Sequence, residues 1–119
     1  TDATNCVYMN EGIVVKSHAG QKYTSDAVSI AVFKDLCKKA NVPVQFFANR
    51  SDEAGGSTLG NIAMAQVSMN SVDIGLPQLA MHSTYETAGI KDTYYMIQVM
   101  TEFFNCHISE INTNVLKVD

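Results

Sequence analysis

A chain of 119 residues with 46% hydrophobic and 17% charged side chains is long enough to bury about two-thirds of its unfolded surface around one core, which excludes wholesale disorder. Its net charge of −4, with eight scattered basic residues and Arg50 the sole arginine, argues against nucleic acid as a partner, because phosphate binding needs clustered Lys and Arg. No apolar run approaches the roughly 18 residues that cross a bilayer, and Thr1 to Asn10 lack the basic-then-apolar layout of a secretion signal, so no membrane partner is expected.

The chain opens on Thr1, and residues 1–10 are polar and unpatterned, reading as a cut edge or linker before a unit spanning 11–119. Ile13-Val14-Val15-Lys16 is a β-branched run suited to a strand, and Ser17 to Gln21 is rich in turn formers. From Ser25 to Ala40 the period lengthens: Val28, Val32 and Leu36 recur every fourth residue, Ala31 and Ala40 lie beside them, and Lys34, Asp35 and Lys38 face away. An amphipathic helix follows from this, capped by Thr24 or Ser25 and ended by Lys38 and Lys39. Pro43 stops it, and Val44 to Ala48 reads as a buried strand. The glycine-rich stretch Asp52 to Gly60 leads into a short helix over Ile62 to Val67, with Ser57 or Thr58 as its cap. Ser71 to Leu76 reads as a third strand ending at Pro77, and Asp92 to Cys106 as a final helix with Met96, Val99, Met100 and Phe103 on one stripe, widened by Ile97 and Phe104.

Strand alternating with helix predicts an α/β fold, a mixed or partly parallel sheet with flanking helices, because parallel strands need helical crossovers. Ligands of such sheets gather where strands end, which singles out the loops after Lys16, from Arg50 to Thr58 and from Leu76 to Glu86. Cys6, Cys37 and Cys106 are odd in number and share no C-x-x-C spacing; they read as reduced, mostly buried thiols of a cytoplasmic protein.

Two stretches carry possible chemistry. Asn49-Arg50-Ser51-Asp52 with Gly55-Gly56-Ser57-Thr58-Leu59-Gly60 puts small residues before a helix start, where free N–H groups attract anions; a plain tight connection explains the same residues. No Gly-Lys-Ser/Thr closes it, so a phosphate loop is a poor reading. Pro77-Gln78-Leu79-Ala80-Met81-His82-Ser83, with Glu86 four residues past the histidine, places an imidazole after a strand, where it can ligate zinc or move protons. A hydrogen-bonded core histidine is the competing reading.

These blocks, with Val15-Lys16, Gln21-Lys22-Tyr23 and Val72-Asp73-Ile74-Gly75, resemble the aspartyl aminopeptidase family of zinc metallopeptidases in order and spacing over residues 11 to 106. Glu53, Ala54 and Asn61 depart from it, standing where many relatives carry Met, Pro and Pro. The resemblance implies the carboxyl-terminal part of a catalytic domain whose full site holds two zinc ions through two histidines and three carboxylates, with a separate glutamate as general base. His82 matches the last histidine ligand; the other ligands and the base match nothing here, so no catalytic residue is expected in this chain and it should be inactive alone. Lys16 matches the lysine that contacts the acidic side chain of the substrate's first residue, and Tyr23 a tyrosine near the reacting carbonyl; the positive end of a helix beginning near Ser57, with Gly56 and Thr58 beside it, would likewise favour a carboxylate. The implied function is removal of amino-terminal Asp or Glu from peptides by a homo-oligomer, with the rest of the parent chain as partner. A non-catalytic α/β module binding an anion or a partner, and an aminopeptidase of different specificity, are the alternatives.

Overall fold

A computed structural model describes residues 4–18, 25–49, 59–66, 69–112 and 115–119. Its elements are β1 (Ile13–His18), α1 (Ala27–Ala40), β2 (Val44–Asn49), α2 (Leu59–Gln66), β3 (Ile74–Gly75), β4 (Gln78–Leu79), β5 (Thr87–Ala88), α3 (Ile90–Asn105), β6 (Ile108–Asn112) and β7 (Val115–Val118). The main sheet has the order β2-β1-β3. β1 runs parallel to β2, from Ile13 opposite Val44 to His18 opposite Asn49, and antiparallel to β3, with Val14 opposite Gly75 and Val15 opposite Ile74. The sheet is therefore mixed, with α1 as the crossover its parallel pair requires.

The central position of β1 explains its composition. Ile13, Val14 and Val15 are all buried, as expected for a strand covered on both faces. Gly12, just before it, has φ 120°, and a Cβ there would overlap the Pro43 carbonyl, which accepts a hydrogen bond from the Ile13 N–H at 3.1 Å; no other residue fits. β2 lies at the sheet edge, so the expectation of a buried strand is corrected: its side chains alternate between half-buried and exposed, and Phe46 is exposed with the Lys34 ammonium 5.4 Å above its ring. Two side-chain amides tie the segment before β1 to that edge strand. Asn5 donates to the Ala48 carbonyl and accepts from the Ala48 N–H, at 2.6 and 3.0 Å, while Gln45 does the same with the main chain of Tyr8, both at 2.8 Å. The Asn5 amide thereby satisfies groups that an open strand edge would offer to another chain.

The cap of α1 is Asp26, whose carboxylate accepts from the Ser29 N–H at 2.8 Å, rather than Thr24 or Ser25. Thr24 lies outside the described residues, and the Ser25 hydroxyl instead accepts from the Asp73 N–H at 2.7 Å. The helix ends as expected, with Asn41 left-handed at φ 56° and Val42 buried behind it. Its buried face is Ser29, Phe33, Leu36 and Cys37. The stripe through Val28 and Val32 only flanks this face and Ala31 is exposed, because the large Phe33 ring draws the packed face one position round. Burial pushes the Cys37 thiol up to about 12, leaving an inert core group; Cys6 and Cys106 are half-buried.

Three expectations are revised towards the carboxyl end. The third strand is only Ile74–Gly75, and the chain forms two hairpins beyond the three strands expected, β4 with β5 and β6 with β7. The second hairpin packs Val118 against the core, and the Val118 carbonyl accepts from Lys39 at 2.7 Å. α3 buries Asp92 and Val99, with Tyr95, Met96 and Met100 partly buried beside them. Ile97, Phe103 and Phe104 are exposed instead of completing that stripe, as are Ile90 and Tyr94. This helix is apolar on two faces, the pattern of an element meant to be covered all round.

Candidate metal and substrate site

Lys16 stands in β1, where its N–H donates to the Asp73 carbonyl at 2.9 Å. Its ammonium is 3.9 Å from the Asp73 carboxylate, and both side chains are substantially buried. Gly75, paired with Val14 on β3, leaves room for the lysine stem: a Cβ there would meet Lys16 Cε at 3.2 Å and Nζ at 3.4 Å. The ammonium is thus held between an acid and a bare backbone, a point charge on a flexible stem. Asp73 and Gly75 belong to a block visible in the sequence, but nothing in their spacing announces that they flank Lys16; that follows from β3 pairing antiparallel with β1.

From Gly75 the chain runs through Leu76 and buried Pro77 into β4, then through the loop 80–86 to β5. His82 is exposed in that loop. It is not a packed core histidine, so that competing reading fails. Its backbone is left-handed at φ 67°, as is that of Ala80 at 53°, and its N–H donates to Glu86 Oε1 at 3.1 Å. Lys16 therefore lies in one sheet and His82 in the loop of another, the two sheets joined along the chain by the short connection from β3 to β4. Tyr23, Gly56, Ser57 and Thr58, with the cap of the short helix, lie outside the described residues; the helix itself covers Leu59–Gln66.

A zinc ion is a fair test of this site. An exposed imidazole on a pinned backbone has the right chemistry for one ligand position. Among the described residues, however, no group of three or more His, Cys, Asp or Glu could hold a metal, so His82 fits as a single corner of such a site. An apolar cavity of about 340 Å³ lies elsewhere, among Ser29, Phe33, Val72, Phe103, Ile108 and Leu116. It contains neither Lys16 nor His82, and the side-chain chemistry outweighs it as a guide to the site.

Residues 1–104 match the family described as aminopeptidase I zinc metalloprotease (M18), a span containing Lys16, Tyr23, Gly56, Ser57, Thr58 and His82. The chain is 54% identical over 104 residues to the probable M18 family aminopeptidase 2 of Clostridium novyi (strain NT), covering 87% of this chain and 24% of that protein. It thus spans about a quarter of that relative's length. The fold is similar to that in a solved complex of Ape4 and Nbr1, with TM-score 0.83 and 37% identity over 87% of this chain and 20% of that one. It is also similar to the S. cerevesiae mApe1 dodecamer, with TM-score 0.73 and 24% identity over 86% and 22% of the two chains. The β6–β7 hairpin falls beyond the matched residues. With its mixed sheet and a match over most of its length, the chain belongs to the M18 aminopeptidase family of zinc metalloproteases.

Proposed function

We propose that this chain is the carboxyl-terminal part of the catalytic domain of a zinc aminopeptidase that releases amino-terminal Asp or Glu from peptides. It contributes one metal ligand, His82, and the substrate-selecting lysine, Lys16. The observation that carries the reading is the setting of Lys16: an ammonium restrained beside Asp73 and over the bare backbone of Gly75, near the end of β1. Tyr23 and the Gly56-Ser57-Thr58 segment complete the substrate site in this proposal. Two bound zinc ions would polarise the scissile carbonyl and lower the pKa of water. The chain's own residues orient: Lys16 draws the substrate's acidic side chain by a charge-assisted hydrogen bond, and His82 fixes a metal position.

The remaining ligands are assigned to other parts of a longer parent chain, consistent with the share of the Clostridium novyi relative that is matched. Assembly into a homo-oligomer and a cytoplasmic location belong to the same proposal. The dodecamer formed by a structural relative supports the first, and three cysteines outside any disulfide suit the second. The outer face of α3, with Ile90, Tyr94, Ile97 and Phe104 exposed, is suited to burial against the parent chain or another copy.

The test is hydrolysis of Asp- and Leu-terminated peptides by the full-length protein and its Lys16→Ala variant. The wild type should favour Asp, and the variant should lose about 100-fold in kcat/KM on Asp with little change on Leu, the penalty of removing one partner of a charged hydrogen bond. A wild type that prefers Leu, or equal losses on both peptides, would overturn the acidic specificity.

A further inference from the structure

Ala80 and His82 hold φ values of 53° and 67°, a region that residues with a Cβ avoid unless their surroundings impose it. The loop between β4 and β5 supplies few restraints. The Ser83 N–H donates to the Ala80 carbonyl at 3.0 Å and the Tyr85 N–H to the Ser83 hydroxyl at 3.1 Å. Neither touches the peptide that carries the His82 N–H. That group is held by the Glu86 carboxylate, at 3.1 Å. Glu86 is itself anchored, since the next residue, Thr87, pairs with Leu79 across the hairpin. A carboxylate is the stronger kind of acceptor for a backbone N–H, and four residues of separation let it close the loop around the histidine.

We propose that Glu86 is a positioning residue: by accepting the His82 N–H it keeps that residue left-handed and so fixes the direction in which the imidazole is offered to zinc. This rests on the reading of His82 as a ligand. Without the carboxylate, the His82 peptide can relax to the ordinary right-handed or extended regions, and the imidazole swings away from its position. The loop is solvent-exposed, so the substitution should leave the fold intact.

The experiment measures zinc affinity of the full-length protein by competition with a chromophoric chelator, for wild type, Glu86→Ala, Glu86→Gln and His82→Asn, alongside the melting midpoint of each metal-free protein. Glu86→Ala should weaken zinc binding by about 10- to 100-fold, the usual effect of losing a residue that orients a ligand, with an unchanged midpoint. Glu86→Gln keeps an oxygen acceptor at the same reach and should restore most of the affinity. If His82→Asn weakens zinc binding but Glu86→Ala does not, the positioning role is wrong while the ligand assignment stands. If glutamine is as poor as alanine, charge rather than the hydrogen bond matters and the proposal also fails. If His82→Asn binds zinc like the wild type, the ligand reading fails and takes this inference with it.

Discussion

Replacing Asp92 with alanine is expected to destabilise the protein by about 3 kcal/mol, read as a lowered denaturant midpoint with an unchanged slope. Asp92 is fully buried in the first turn of α3. One carboxylate oxygen accepts from the Asn10 N–H at 2.6 Å and the other from the Gly12 N–H at 3.0 Å. In return, the Asn10 side chain accepts from the Lys91 N–H at 3.0 Å and so caps the helix that Gly89 begins without a side chain of its own. Alanine leaves two donors without an acceptor where water has poor access, and each such loss costs about 1–3 kcal/mol. It also removes a negative charge from the positive end of a helix. Asp92→Asn should cost roughly half as much, because its amide keeps one oxygen acceptor and turns a donor towards the other N–H. Gly89 belongs to the same clasp, since a Cβ there would overlap Asn10 Oδ1 and Asp92 Oδ2. An Asp92→Ala protein as stable as the wild type would mean that this clasp does not hold the start of β1 to α3.

The elements that the sequence makes legible are those whose reasons are local. β1 announces itself as a β-branched run, α1 by its helical period and flanking lysines, and the break between α1 and β2 by Pro43. The mixed character of the sheet is also foreseeable, since a helix between two strands implies a parallel pair. What is not legible depends on partners far away in the chain. β2 is an edge strand because β3 takes the other side of β1, and Asn5 mimics a strand beside Ala48, with Gln45 holding Tyr8, only because the two segments meet. Asp26 displaces Ser25 as helix cap because Ser25 is engaged by Asp73. The two faces of α3 blur into one broad stripe when read by period alone. For the candidate site, His82 stands out as an imidazole after a strand, whereas Lys16 stands out only through family resemblance. No spacing rule reveals that Asp73 and Gly75 bracket the lysine, or that His82 adopts a left-handed backbone held by Glu86.

His82→Ala in the full-length protein should reduce kcat/KM for peptide hydrolysis by about a thousandfold or more and lower the zinc retained per subunit. A catalytic zinc keeps about three protein ligands, so losing one imidazole weakens the ion and disturbs the position of whatever it activates. Stability should hardly move, because His82 is exposed and its side chain adds nothing to the core; surface substitutions of this kind usually stay within about 0.5 kcal/mol. Alanine does carry a small backbone penalty at φ 67°, which asparagine largely avoids. His82→Asn therefore separates the two effects: it preserves the loop while removing the imidazole, and it should be as inactive as alanine. Normal zinc content and normal turnover in both variants would show that the imidazole is not a ligand, whatever the family to which the chain belongs. Loss of activity in the alanine variant alone would assign the effect to the loop's conformation instead.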